Sequence, residues 1–220
     1  MSEGSSHRPY LLQAYDHYLE SQETTDFVRK VSQVYTQGTL ERLAENDSPR
    51  VRRGAVLALG FLGDYEVNTT LGRALQDEDR TVRSLAEHSI RNVWTRAGTE
   101  KERRLLGFIV RLNAAQQYEA AIRRSSELLE QASWFAEIWN QRAIANFSLK
   151  RYEEAIRDCH QTLEINPYHF GAAAGMGQAY LELGNRDCAL ESFRRALRLN
   201  PDLEAVRIQV ARLARLAEDK

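Results

Sequence analysis

The sequence predicts an all-α protein built as an α-solenoid, in which pairs of helices stack side by side. Two internal repeats carry this prediction, one of 34 residues in the second half of the chain and one of 31 residues in the first half. Apolar residues recur at helical spacing along both halves. The 220 residues include only four prolines, and no Pro/Gly-rich stretch points to an all-β fold. The 43% hydrophobic and 28% charged fractions are typical of an ordered chain.

Two helices are predicted ahead of the repeats, and residues 1–8 are expected to be disordered. Leu11, Tyr15 and Leu19 have helical spacing, and a second such pattern begins at Phe27 after a Thr-Asp cap at 25–26. The first helix is short and Tyr-rich. We expect it to dock either on the stack or on a partner.

The 31-residue repeat pairs Leu40 with Leu71, Val51-Arg52 with Val82-Arg83, and Ala55 with Ala86. Each copy reads as a short helix, an acidic turn, and a helix that opens with Val-Arg. The pattern resembles HEAT repeats, in particular the compact form of phycobilisome-lyase-like repeats. Two copies are expected, at roughly 39–64 and 70–96, within an N-terminal region spanning 9–96.

The turns of this region have capping chemistry. Ser48 and Asp79 are predicted to cap the helices that follow them, Pro49 suits a first helical position, and Asp64 is a further cap. Gly60 and Gly63 are interpreted as the end of an apolar helix. The HEAT resemblance implies that Arg52 and Arg83 pair with turn acids such as Asp47, Asp77 or Asp79.

The 34-residue repeat aligns Ala121, Ala155 and Ala189, and it aligns Asn166-Pro167 with Asn200-Pro201. Small residues allow helices to approach closely, and Asn-Pro ends a helix. The pattern resembles tetratricopeptide repeats. We expect three units at 102–135, 136–169 and 170–203, a joint at 97–101 in which Gly98 ends a helix, and a capping helix at 204–220.

The tetratricopeptide resemblance implies that the first helices of the units line a groove that binds a protein or peptide. Projecting the groove positions of the family onto this chain gives a set of residues that includes Glu137. Nine of this set are taken as candidate partner-binding residues: Arg103, Val110, Asn113, Asn140, Ile144, Phe147, Gln178, Leu181 and Arg212. Amide side chains such as Asn140 and Gln178 can bond the main chain of an extended peptide. The sequence therefore predicts a non-enzymatic interaction scaffold or adaptor.

The residues argue against one familiar ligand of the family, the C-terminal carboxylate of a chaperone. That ligand is clamped by a Lys/Asn, Asn, Lys/Arg set on successive first helices. In the two possible registers those places hold Leu106, Val110, Gln141, Gly171 and Gly175, or Asn140, Ile144, Gly175, Ala205 and Gln209. Neither set contains a cation.

No catalytic residue, metal ligand set or cofactor is predicted. None of the five histidines has another histidine three or four residues away, as a helical metal site would require. Asp158, Cys159 and His160 are adjacent, but neighbouring helix residues point in different directions. Cys159 and Cys188 are interpreted as buried free thiols.

Two other functions remain as alternatives. Nucleic-acid binding by the HEAT region would use Arg50, Arg52, Arg53, Arg80 and Arg83. However, the first hundred residues contain 12 basic and 15 acidic side chains, a net charge of −3. The repeat resemblance also raises a phycobilisome-lyase-like accessory activity. The N-terminus has no leader pattern, and the longest apolar stretch, 55–63, is far below the length of a membrane span, so a cytoplasmic location without membrane contact is expected.

Overall fold

The computed structural model describes residues 9–218, with side chains through Leu216. These described residues form 13 α-helices and one 3₁₀ helix, and they contain no strand. The chain divides into two compact units, one ending at Val93 and the other beginning at Trp94. The all-α solenoid class is therefore confirmed. The segment expected to be disordered, residues 1–8, lies outside the described residues.

The first unit consists of short helices separated by brief turns. They are α1 (Tyr10–Ser21), α2 (Thr24–Val34), α3 (Gln37–Leu43), α4 (Pro49–Leu62), the 3₁₀ helix (Tyr65–Val67), α5 (Asn68–Ala74) and α6 (Arg80–Arg96), whose last residues belong to the second unit.

The N-terminal helix docks on its own unit. Leu11 and Tyr15 of α1 are buried, as are Phe27 and Val31 of α2, and both helices contact α4. The Leu11 backbone N–H donates to the Tyr35 hydroxyl at 3.0 Å, which satisfies one of the free amides of the first turn. Of the two docking modes expected for α1, the structure shows the one onto the stack.

The predicted caps form at two of three turns. Asp64 accepts from the Glu66 N–H at 2.9 Å, and Asp79 accepts from the Val82 N–H at 2.9 Å. Ser48 precedes α4, but its side chain makes no capping bond, and that expectation is wrong. Its own N–H donates to the Asn46 side chain, and Pro49, which has no N–H, takes the first helical position.

A buried arginine joins the two HEAT turns. Arg52 donates to both carboxylate oxygens of Asp77 at 2.7 and 2.8 Å, and to the Asn46 and Asp47 carbonyls. Arg83 donates to the Asp77 and Glu78 carbonyls. The expected arginine ladder is therefore confirmed between Arg52 and Asp77.

Gly60 lies inside α4 and not at its end, which corrects the turn interpretation; Gly63 follows the last residue of the helix. A Cβ at position 60 would lie 2.2 Å from Ser89 Oγ and 3.1 Å from Ser89 Cα. Glycine is therefore required because α6 crosses α4 at this point.

The second unit contains three helix pairs and a final helix. The pairs are α7 (Glu100–Ala114) with α8 (Tyr118–Leu129), α9 (Ala136–Ser148) with α10 (Tyr152–Ile165), and α11 (Phe170–Glu182) with α12 (Arg186–Leu199), followed by α13 (Glu204–Glu218). Ala121, Ala155 and Ala189 are each 2% exposed or less. The α7 helix begins with a capping box between Thr99 and Glu102.

The three turns within these pairs share a backbone conformation. Gln116, Lys150 and Gly184 are 34 residues apart and all have positive φ, between 58° and 76°. The next N–H in each turn bonds back five residues, for example from Gln117 to the Leu112 carbonyl. The turn is thus repeated although its residue type is not.

No described helix is both long enough and apolar enough to span a membrane.

Candidate protein-binding groove

Helix α7 contacts α9, and α9 contacts α11. The 34-residue spacing places four residues at equivalent sequence positions of α7, α9, α11 and α13, and we call these four the row: Val110, Ile144, Gln178 and Arg212. Val110 is 38% and Ile144 42% exposed, which is high for branched apolar side chains. Gln178 is half-buried and Arg212 is exposed. We call the face that carries this row the groove.

Phe147 and Leu181 are less available to a binding partner than their predicted groove positions suggested. Both pack against the core formed by α9–α13. The Phe147 ring also meets the Tyr152 ring edge-on, with 5.4 Å between centroids. These two side chains are shared between the core and the groove.

The candidate amides Asn113 and Asn140 bond within the chain. Asn113 Nδ2 donates to the backbone carbonyl and to the side-chain oxygen of Gln141, each at 2.9 Å. Gln141 Nε2 donates to Glu137 Oε1 at 2.7 Å, and Asn140 Nδ2 donates to the same oxygen at 3.0 Å. This amide network ties α7 to α9 and occupies donors that were expected to face a ligand.

The network converges on Glu137, which occupies a projected groove position but is buried, and which is not among the nine candidate residues. Its other oxygen, Oε2, lies 3.0 Å from His169 Nε2. The Ala172 N–H donates to His169 Nδ1 at 2.9 Å, so Nδ1 carries no proton and Nε2–H is the donor to Glu137. Burial acts to raise the pKa of Glu137, but the hydrogen bond and electrostatic interaction with His169, together with the bonds from Gln141 and Asn140, hold that pKa below its ordinary value.

The His169 ring is covered by an indole. The Trp94 and His169 rings stack with centroids 4.1 Å apart and an angle of 17° between planes. Phe170 adds a tilted contact, with its centroid 5.2 Å from that of Trp94. Trp94 is only 3% exposed. The sequence did not predict this cluster. His169 precedes α11 and lies 32 residues after Glu137, a spacing that does not by itself indicate a contact.

The candidate cation Arg103 has an internal role. Its Nη1 donates to the Gly98 carbonyl at 2.8 Å and to the Arg96 carbonyl at 3.2 Å. The side chain thereby fixes the segment between α6 and α7. Arg212 is the remaining cation of the predicted set.

In the Asp158–Cys159–His160 triplet, Asp158 and His160 line one surface cavity, whereas Cys159 does not. Asp158 accepts from Arg142 at 2.7 and 3.0 Å and from Asn146 at 3.0 Å. Cys159 is buried, and burial raises the pKa of its thiol to about 12. Cys188, also expected to be buried, is only half-buried, because it lies in the exposed first turn of α12. His160 is exposed. The three side chains do not converge on one point.

In the first unit, three of the five arginines considered for phosphate binding pair with carboxylates of that unit. Arg52 binds Asp77, Arg53 forms two hydrogen bonds with Asp79, and Arg50 binds Asp16. These guanidiniums are neutralised by carboxylates of the same unit.

Family models match both halves of the chain. A HEAT repeats model matches residues 33–105, and tetratricopeptide repeat models match residues 136–169 and 172–203. The latter two matches coincide with the second and third predicted units. The chain therefore combines HEAT repeats in its first half with tetratricopeptide repeats in its second.

Two curated proteins illustrate the similarity. A TPR repeat-containing protein of Rhizobium etli is 28% identical over 139 residues, covering 63% of this chain and 68% of the relative. Tetratricopeptide repeat protein 12 of Homo sapiens is 29% identical over 200 residues, covering 81% of this chain but 28% of the relative. The chain thus spans less than a third of the human protein.

Among solved structures, the first TPR of Spaghetti (RPAP3) bound to the HSP90 peptide SRMEEVD has a TM-score of 0.52. It is 20% identical, and the match covers 55% of this chain and 96% of the other. This likeness establishes the shared helical fold. The comparison gives no support to our argument against chaperone ligands, because this neighbour itself holds a chaperone peptide.

Proposed function

We propose that the protein is a non-enzymatic, cytoplasmic adaptor that binds a protein or peptide segment in the groove of its second unit. The observation that carries the proposal is the exposure of Val110 and Ile144 at equivalent places on adjacent helices. Exposed apolar side chains flanked by polar groups are characteristic of protein-binding surfaces. A partner would remove both side chains from water.

The hydrogen bonds between residues of the groove favour a binding surface that is preformed in the free protein. The network from Asn113 through Gln141 to Glu137 holds α7 and α9 together before any partner arrives. Such preorganisation lowers the entropy lost on binding. Gln178 can then bond the main chain of an extended segment, since peptide groups need donors and acceptors when buried.

The first TPR of Spaghetti, which has this fold, is solved with an HSP90 peptide, and this supports a peptide ligand here as well. We nevertheless propose a partner other than a chaperone tail. The two registers of the carboxylate clamp place no cation at the required positions, and Asn140, which belongs to one of them, donates to Glu137. A terminal carboxylate would lack its counter-charge.

The test is a pull-down from native lysate with the intact protein and with Ile144→Glu. We expect Ile144→Glu to lose the captured proteins, because a charge would be placed in the apolar contact. Leu19→Glu is the matched control: Leu19 is 50% exposed and lies on α1, in the first unit. Circular dichroism checks that all three proteins are folded.

The proteins retained decide the outcome. Loss with Ile144→Glu and retention with Leu19→Glu supports binding in the groove, and mass spectrometry then names the partner. Loss with Leu19→Glu alone would assign the binding to the first unit. Specific capture of Hsp70 or Hsp90 through their C-terminal tails would contradict the argument against chaperone ligands.

A further inference from the structure

We propose that the first helix pair of the second unit contains a docking cleft for an acidic, amphipathic helix of another protein. The cleft lies between α7 and α8 and has a volume of about 380 Å³. Its apolar lining comes from Leu105, Phe108 and Ile109 of α7 and from Leu128 of α8. We call it the end cleft. None of these residues is among the nine groove candidates, so the proposal does not depend on binding in the groove.

The end cleft exposes two large apolar side chains above a buried base. Ile109 and Leu128 are buried, whereas Leu105 is 38% and Phe108 is 40% exposed. Large apolar side chains that stay exposed beside a concave surface are characteristic of protein-binding sites. A partner that covered Leu105 and Phe108 would remove both from water.

The later repeats show what covers these positions when they are filled. The residues equivalent to Leu105 and Phe108 in α11 are Ala173 and Met176, 68 residues later, and both are at most 5% exposed. They belong to a buried cluster that includes residues of α10. In α9, Arg142 takes the place of Phe108, and it donates a hydrogen bond to a side chain of α8 at 3.0 Å.

In both later pairs the covering element is therefore the second helix of the preceding pair: α8 contacts α9, and α10 contacts α11. Helix α7 is the first complete helix of the second unit, so the repeat provides no such helix for it. A helix with one apolar face is the ligand whose shape matches this position, because helices fill the equivalent positions elsewhere in the unit.

The cations around the end cleft favour an acidic helix. Arg124 is paired with Glu127 at 2.8 Å, so these two charges compensate each other. Lys101 on the rim and Arg111, whose guanidinium lies 5.9 Å from the Phe108 ring centroid, are exposed and form no ion pair within the described residues. At about 1.5 Å per residue they are about 15 Å apart along α7, or about three turns of a partner helix. Carboxylates at both ends of such a helix would meet both cations.

The chain itself supplies a probe with these properties. The sequence of α10, residues 152–165, contains four acidic side chains and one basic side chain, which gives a net charge of −3. A synthetic peptide of this sequence, blocked at both ends and carrying Cys159→Ser to prevent oxidation, is labelled and titrated with the full chain by fluorescence anisotropy. A peptide of the same composition in scrambled order is the control for non-specific binding.

We expect the α10 peptide to bind the wild type and the scrambled peptide not to bind. Phe108→Glu should weaken binding at least tenfold, because it places a charge in the apolar contact and repels the acidic peptide. Lys101→Glu should weaken it about threefold, as expected for an exposed ion pair. The matched control is Leu183→Glu: Leu183 is 42% exposed but follows α11, outside the end cleft, and its substitution should leave binding unchanged.

Three results would overturn the proposal: no binding of the α10 peptide up to millimolar concentration, equal binding of the scrambled peptide, or unchanged binding to a folded Phe108→Glu. Weakening by Ile144→Glu instead of Phe108→Glu would also overturn it, by assigning the peptide to the groove. If Phe108→Glu does not fold, Phe108→Ser is tested under the same criteria. The native partner is not used, so failure here is separate from failure of the pull-down.

Discussion

The arginines of this chain divide into those that hold the fold and those that remain exposed. Arg52 is 8% exposed and bonds two carboxylate oxygens and two carbonyls, which together compensate the burial of its charge. Arg103 fixes a segment through carbonyls. Arg212 is exposed at the end of the groove row. Residue type alone does not separate these roles, since they depend on neighbours brought together by folding.

Asp79 gives the first unit a pH-dependent stability. The Arg53 guanidinium and the Val82 N–H hold the pKa of this carboxyl at about 2. Because the folded pKa lies below the unfolded value, the stabilisation is present above about pH 4 and is lost as the pH falls towards 2. We expect Asp79→Asn to lower the free energy of unfolding by about 1 kcal/mol at pH 7, after allowance for solvent screening.

Urea unfolding at pH 7 and at acid pH checks this expectation, with Glu45→Gln as the control. Glu45 pairs with Arg73, and both side chains are more than 60% exposed. Its substitution should change stability little at either pH. A difference between wild type and Asp79→Asn that is constant with pH would contradict the assignment.

Helices of the second unit are joined by one repeated turn and packed through small residues. The turn uses positive φ at Gln116, Lys150 and Gly184, although only one of these is glycine. Gly177 serves the packing: a Cβ there would lie 2.6 Å from two atoms of the Phe193 ring. The repeat pattern in the sequence therefore indicates which residues set the helix spacing more clearly than it indicates which residues form the turns.

Gly177→Ala is expected to destabilise the protein by about 1–3 kcal/mol, because the buried Phe193 ring has to shift. Gly175→Ala, two residues earlier in α11, is the matched control. The nearest atom to its Cβ would be Cys159 Sγ at 3.8 Å, so alanine fits there and should stabilise the helix by up to about 1 kcal/mol. Chemical denaturation of both variants measures the contrast, and equal effects would refute it.

For the whole chain, charge decides against non-specific nucleic-acid binding. The formal net charge is −1, and the basic side chains considered for phosphate binding in the first unit are largely paired with carboxylates. Binding to a phosphate backbone requires cations that are free to replace counterions.

We therefore expect the intact protein to pass through a DNA or heparin column without retention near 0.15 M salt. Double substitution of Asp77 and Asp79 by Asn would release Arg52 and Arg53 and serves as a comparison, provided that it folds. Salt-sensitive retention of the wild type would favour the nucleic-acid alternative.

Repetition made most of the architecture predictable. A residue that packs between helices recurs at the same place in each copy, so Ala121, Ala155 and Ala189 identify the helix pairs from the sequence alone. The HEAT resemblance limited the partner of Arg52 to turn acids such as Asp47, Asp77 or Asp79, and the structure shows that it is Asp77. The requirement for glycine at position 60 was not predictable, because it arises where α4 packs closely against Ser89 of α6.

The candidate site stays a prediction. Repeat spacing assigned Val110 and Ile144 to the groove, and both side chains are exposed in the structure. It could not show that Asn113 and Asn140 bond inside the chain, or that Trp94 covers His169. Local periodicity fixes which face a residue occupies; contacts between distant segments, which depend on how those faces pack, arise only in the folded chain.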